Sequence, residues 1–156
     1  MFYTAEQSAQ IETVRFAYIQ HALQAHVLTL TLNRPEKKNA MSPLFMQEIA
    51  FVLNHAKHNS DVRVVVLRAN GTIFCAGADL KAMAGSNEAP VSDVPAPMQE
   101  VRLGDAFNQL YKPCIAAVHA PVYAGGFLLL GGCTHVISSD KAVFSLPEIS
   151  RGLWHF

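Results

Sequence analysis

The chain is short of charge. Only 15% of its 156 residues are Asp, Glu, Lys or Arg, and twelve acidic side chains cancel twelve basic ones, against roughly 25% charged residues in an average soluble domain. With no excess of either sign, neither a nucleic-acid surface nor a polybasic membrane contact is implied. No apolar run approaches the roughly 18 residues of a membrane span, and the opening MFYTAEQSAQIE has neither the basic nor the apolar region of a secretory signal. Cysteine is scarce as well: Cys75, Cys114 and Cys133 are widely spaced and form no CxxC pair. This argues against a disulfide framework or a zinc site, and a cytoplasmic protein with small buried thiols is expected. His55 and His58 stand three apart without further ligands nearby, so they read as a solvated helix end rather than a metal site.

What is abundant is apolar: 51% of the residues are hydrophobic, enough to fill the core of one domain spanning 1–156. Few charges beside so much apolar surface point to burial in an oligomer, or to a chain lacking part of its own covering.

The pattern is that of an α/β chain. HVLTLTL (26–32) alternates apolar residues with threonine, and IETVRFAYI (11–19) is expected to pair with it as a hairpin. Ser42 and Pro43 look like an N-cap and first helical residue, and Phe45, Ile49, Val52, Leu53 and Ala56 recur at helical spacing, so a helix is predicted over 43–58. VRVVVLRA (62–69) reads as a strand buried on both faces. Residues 83–97, rich in small residues and proline, read as a mobile surface loop or lid. A second helix through Leu103, Ala106, Phe107 and Leu110 is expected to end at Lys112, and CIAAVHAPV and KAVFSLPEI supply the last strands.

Two stretches place glycine and alanine directly after a buried strand: FCAGADL (74–80) and VYAGGFLLL (122–130). Small residues let a ligand approach the main chain, and a helix start leaves its first N–H groups unpaired. Two such turns on neighbouring strands would converge on one oxygen, the geometry of an oxyanion hole. On pattern alone, close packing of strand and helix stands ahead of catalysis as the reason for the glycines. A phosphate loop fits poorly, because neither Lys-Ser/Thr nor GxGxxG spacing is present. A nucleophilic pair of Cys75 and His119 lacks an orienting carboxylate.

LTLNRPEKKNAMS, VVVLRANGTIFCAGADLKAM, KPCIAAVHAPVYAGG and FSLPEISRGL together resemble the enoyl-CoA hydratase/isomerase, or crotonase, superfamily, in register over about residues 12–153. The resemblance implies a crotonase-like spiral of ββα units of the ClpP/crotonase type, here its N-terminal core only, and a coenzyme A thioester as substrate. Coenzyme A is then part of the substrate and no separate cofactor is expected. It implies that the N–H groups of Ala78 and Gly125 hold the thioester oxygen, and that Ala40, Ala76, Asp79, Leu80 and Lys81 line the coenzyme A channel or acyl pocket. Lys81 is either a cation near the coenzyme's phosphates or a solvated helix residue. Asp79 is a contact residue or the N-cap of the next helix. Gly126 would open a helix whose positive end adds to the oxyanion site.

Hydratases of the superfamily use two glutamates to activate water. The register carries Glu148 onto the second and Leu128 onto the first, and leucine transfers no proton. A single carboxylate suits proton abstraction beside the thioester and its return at another carbon, so double-bond isomerisation is expected ahead of hydration. The alternatives are a weak hydratase and a non-catalytic or inactive acyl-CoA-binding module. The superfamily implies a trimer or hexamer, yet its C-terminal trimer-forming helices have no counterpart here. The aromatic end GLWHF suggests a truncated polypeptide or cover from another subunit.

Overall fold

The computed structural model describes residues 1–85 and 90–152. A short helix α1 (Ala5–Ala9) precedes strands β1 (Ile19–Gln24) and β2 (Val27–Leu32), helix α2 (Pro43–His58) and strand β3 (Val64–Ala69). One turn of helix, α3 (Leu80–Met83), then α4 (Leu103–Asn108), lead to β4 (Cys114–Val118), β5 (Val122–Tyr123), α5 (Gly126–Gly131), β6 (His135–Ser138) and β7 (Phe144–Ser145). A 3-10 turn over Pro147–Arg151 follows.

The main sheet has the order β1-β2-β3-β4-β6. β1 and β2 form an antiparallel hairpin, and every further pair is parallel, with Thr29 opposite Val66, Val66 opposite Ile115 and Ile115 opposite His135. Parallel pairing needs a crossover between strands, and α2 supplies the first. α2 forms as its sequence dictates: Ser42 Oγ accepts from Phe45 N–H at 3.2 Å, Pro43 occupies the first turn, and Phe45, Ile49, Val52, Leu53 and Ala56 are buried. Burying each large side chain of that stripe contributes about 1.5–3 kcal/mol.

Several expectations change. The hairpin partner of β2 is 19–24, because 11–13 is a 3-10 turn whose Ile11 plugs the core. β3 is buried on one face and only partly covered on the other. CIAAVHAPV splits at 119–121 into two strands, one in each sheet, and the second sheet consists of β5 and β7 alone. α4 stops at Asn108, before Lys112. His55 is not at a solvated helix end: its Nδ1 lies 2.7 Å from the Ser8 carbonyl, and only His58 is exposed.

Within 83–97, residues 86–89 lie outside the described residues, whereas 92–94 are pinned to the core. Asp93 N–H donates to the Arg15 carbonyl at 2.8 Å, and Ser92 Oγ donates to Glu48 at 2.7 Å. Glu48, fully buried on α2, also accepts from the N–H groups of Ala17 and Tyr18 at 2.6 and 2.8 Å. Leu153–Phe156 also lie outside the described residues. No helix among the described residues is long and apolar enough to cross a membrane.

Candidate functional site

Four segments far apart in sequence run side by side. Ala76 N–H donates to the Lys38 carbonyl at 3.1 Å, Met41 N–H to Gly77 at 2.8 Å, and Asp79 N–H to Met41 at 2.9 Å. On the other flank, Phe74 N–H donates to Pro121 and Tyr123 N–H to Cys75, both at 2.9 Å. Ala124 N–H then reaches the Ser145 carbonyl at 3.0 Å. The segments 38–41, 74–79, 121–125 and 143–145 therefore form one stack, with parallel bridges Met41 to Ala78 and Cys75 to Val122 beside the β5·β7 pair.

Ala78 and Gly125 face each other at the end of this stack. A methyl group on Gly125 would stand 3.6 Å from the Ala78 nitrogen and 3.2 Å from Met41 Cε. Gly77 holds a left-handed φ of 92°, and Ala124 one of 53°, so both turns bend sharply just before the paired residues. Among the described residues, neither the Ala78 nor the Gly125 N–H donates to a protein acceptor. Each of the two amides thus keeps a backbone donor that the described protein atoms do not use.

Of the two roles expected for Asp79, the structure shows the N-cap, and it adds an ion pair with Arg34. Its Oδ1 accepts from Ala82 N–H at 3.1 Å and caps α3, while Oδ2 lies 2.7 Å from Arg34 Nη1. Those hydrogen bonds, that from Ala82 first, hold its carboxyl below the usual range. Arg34 is buried, gives a second bond to the Ala40 carbonyl at 3.0 Å and stacks 4.4 Å from the Tyr18 ring. Asn39, fully buried and left-handed, receives a bond from Arg34 N–H at 2.8 Å and donates to the carbonyls of Asn70 and Ile73. Arg34 and Asn39 thus set the height of the 38–41 segment against the 74–79 segment.

Ala40 and Ala76 sit half-buried in the stack, and Leu80 and Lys81 are exposed on α3. Lys81 lines a cavity of about 360 Å³ together with Lys37, Arg34, Asp79, Ser42 and Leu44, a mixed recess in which three cations face one carboxylate. Glu148 follows β7 in the 3-10 turn, three residues beyond the Ser145 that pairs with Ala124. It is half-buried, its Oε2 is shielded from solvent, and it does not line that cavity. Leu128 lies on α5, its N–H bonded to the Gly125 carbonyl at 3.0 Å, and is 45% exposed.

The AGGFLLLGG stretch separates by contact. Gly126 is a close-approach position, where a Cβ would meet Val122 at 2.9 Å and the Cys75 carbonyl at 3.1 Å, and Gly132 lies under the Phe107 ring. Gly131 faces open space. α5 has only six residues, so its dipole is a small addition. Cys75 and His119 do not pair: the thiol donates to the Asn39 carbonyl at 3.2 Å, and His119 Nε2 lies 2.8 Å from the Gly71 carbonyl.

Sequence reading missed Arg34, Asn39 and Met41 as parts of the site. Their signal was present in NRPEKKNAM, where arginine and asparagine flank a proline turn, but nothing in that stretch says that it runs beside residues 74–79.

Comparison with known proteins identifies the family. A family model described as Enoyl-CoA hydratase/isomerase matches residues 22–155. A mevalonyl-coenzyme A hydratase of Aspergillus fumigatus is 36% identical over 82% of this chain and 47% of its own length. The human mitochondrial Delta(3,5)-Delta(2,4)-dienoyl-CoA isomerase is 35% identical over 83% and 42%. A 2,3-dehydroadipyl-CoA hydratase of Escherichia coli is 37% identical over 83% and 49%. Among solved structures, an enoyl-CoA hydratase from Mycobacterium marinum superposes with TM-score 0.74 at 31% identity, covering 86% of this chain and 63% of the other. An enoyl-CoA hydratase/isomerase from Mycobacterium paratuberculosis gives 0.71 at 30% identity, covering 89% and 52%. The chain spans about half the length of the curated relatives it matches.

Proposed function

The chain belongs to the enoyl-CoA hydratase/isomerase family, with that family's crotonase-like α/β fold, and on this footing we propose that it converts an acyl-coenzyme A thioester by moving one proton. The observation that supports this reading is the apposition of the Ala78 and Gly125 amides, neither given to a protein acceptor among the described residues. The thioester oxygen sits between them. When a proton leaves the carbon next to the thioester, the electron pair delocalises onto that oxygen, and two donors already aimed at it stabilise the enolate without reorganisation.

Glu148 is the proton carrier. It takes the C2 proton of a 3-enoyl thioester and returns it at C4, so the double bond moves to C2 and nothing is added to the molecule. Leu128 supports isomerisation over hydration, because the position that would carry a second acid ends in a hydrocarbon. The coenzyme arm lies along Ala40, Ala76, Asp79 and Leu80, with Lys81 and Lys37 beside its phosphates, and no separate cofactor takes part. Assembly as a trimer or hexamer belongs to the same reading.

The test is incubation with 2-enoyl-, 3-enoyl- and 3-hydroxyacyl-CoA, followed by chromatography and mass analysis, beside calorimetric titration of the same thioesters. Interconversion of 3-enoyl and 2-enoyl forms at unchanged mass is the expected result. Water addition as the main reaction overturns the isomerase assignment, and binding without any turnover makes the chain an acyl-CoA-binding module instead.

A further inference from the structure

Cys114 opens β4 and Cys133 follows the C-terminal end of α5, and their sulfurs stand 3.5 Å apart. The backbone brings them together. Thr134 N–H donates to the Cys114 carbonyl at 2.8 Å, and Thr134 Oγ1 accepts from Cys114 N–H at 3.1 Å. The chain leaving α5 is thereby laid beside the first residue of β4, and the neighbouring thiol faces its partner. Nothing in the proposed reaction uses either sulfur.

The two thiols are unlike. Cys114 is buried, whereas Cys133 is only partly so. The bond between them raises the Cys114 pKa, with burial adding to it, and the same bond lowers that of Cys133 against its own desolvation. The more exposed sulfur therefore carries the anion more readily, and a second sulfur waits within reach of it. Cys75 is the contrast, since it is fully buried and pushed up to about 11 by that burial.

We propose that Cys133 and Cys114 form a reversible thiol–disulfide couple, in which Cys133 is the peroxide-reactive thiol and Cys114 resolves it. The Cys133 thiolate attacks one oxygen of hydrogen peroxide. The S–O bond forms as the O–O bond breaks, and the departing hydroxide takes a proton to become water. The Cys114 sulfur then attacks the sulfur of the Cys133 sulfenic acid. The S–S bond forms as the S–O bond breaks, and the hydroxide leaves as a second water with the Cys114 proton. Two electrons pass from the thiol pair to one peroxide. Closing from 3.5 Å to a bond of about 2.05 Å costs Cys133 its contact with the Leu129 carbonyl. It also ties the end of α5 to β4 across the segment that holds Gly125.

The experiment treats the reduced chain with hydrogen peroxide in its folded state, alkylates the remaining thiols after denaturation, and digests with chymotrypsin. Chymotrypsin is needed because Tyr123 and Phe127 lie between the two cysteines while no Lys or Arg does. The expected product is a Cys114–Cys133 linked peptide pair, lighter by two hydrogens and restored by dithiothreitol, with Cys75 still fully alkylated. Cys114→Ser should leave Cys133 as a sulfenic acid captured by dimedone, and Cys133→Ser should leave Cys114 unoxidised. Further oxidation of Cys133 without a link, a link between two chains, or no loss of thiol overturns the proposal. So does Cys114 oxidising in Cys133→Ser as fast as in the parent. Should a serine variant fail to fold, as read by circular dichroism, the peptide map of the parent chain decides alone.

Discussion

Gly77 and Ala124 stand closer than two alanines allow: a methyl group on Gly77 would lie 2.7 Å from the Ala124 Cβ and 3.1 Å from the Gly125 nitrogen. Gly77 also holds a left-handed φ of 92°, which an L side chain adopts only with strain. Gly77→Ala should therefore push the two turns apart. The expected cost is about 1–3 kcal/mol of stability, read by urea unfolding, with loss of acyl-CoA turnover. Full activity in that variant would detach the turn geometry from the reaction.

Glu148→Gln keeps the size of the side chain and removes its ability to take a proton. Turnover of every acyl-CoA should fall by about 10²–10⁴, with thioester binding by calorimetry unchanged. Leu128→Glu is the converse experiment. Because Leu128 is 45% exposed, a carboxylate there is tolerated, and the variant should add water to a 2-enoyl-CoA that the parent only isomerises.

The Arg34–Asp79 pair predicts an acid-side loss of stability. The Asp79 carboxyl is held below its ordinary value, chiefly by its bond from Ala82 N–H and then by Arg34. Its contribution is complete above the unfolded value of about 3.9 and disappears as pH falls through the lower folded value. Asp79→Asn should abolish that part of the acid profile. At neutral pH it should cost about 1 kcal/mol, because Asp79 is only partly buried and solvent screens the pair, and Arg34 keeps the Ala40 carbonyl and the Tyr18 ring.

Glu48 has the opposite sign. Burial, its largest influence, raises its carboxyl above the ordinary range although hydrogen bonds from Ala17, Ser92, Tyr18 and Ile19 oppose the shift. The folded state thus holds this proton more tightly than the unfolded chain does. The contribution is full below the unfolded value and lost as pH rises through the folded one. Glu48→Gln, with one carbonyl oxygen in place of two carboxylate oxygens, cannot accept all of these bonds and should lose about 1–3 kcal/mol. The stability gap between parent and variant should narrow as pH rises through that window, measured by urea unfolding at a series of pH values.

Local structure was legible in the sequence where one signal decides it. The Ser42-Pro43 start and the stripe from Phe45 to Ala56 give α2 its observed bounds, and the β-branched run gives β3 within two residues. β6 was missed because its four residues are all exposed and carry no alternation to read. His55 was misplaced because helical spacing alone does not tell that α1 folds back over it. At the site, the two glycine turns were visible as turns, but their apposition depends on which strands are neighbours. Arg34 and Asn39 escaped notice for the same reason: a buried hydrogen-bond hub looks like any polar turn until its partners at Asn70, Ile73 and Asp79 arrive.

The stack that carries Ala78 and Gly125 is built from contacts distant in sequence, which bears on how the molecule folds. The β1–β2 hairpin closes within a few residues, whereas every other pair in the main sheet joins strands separated by a crossover. Such long-range pairing pays its loop entropy before any contact repays it, and folds slowly. The segments 38–41, 74–79, 121–125 and 143–145 are likewise joined by long-range pairing. The hairpin and α2 should therefore gain hydrogen-exchange protection before the Ala78 and Gly125 turns do, which pulsed exchange during refolding would read.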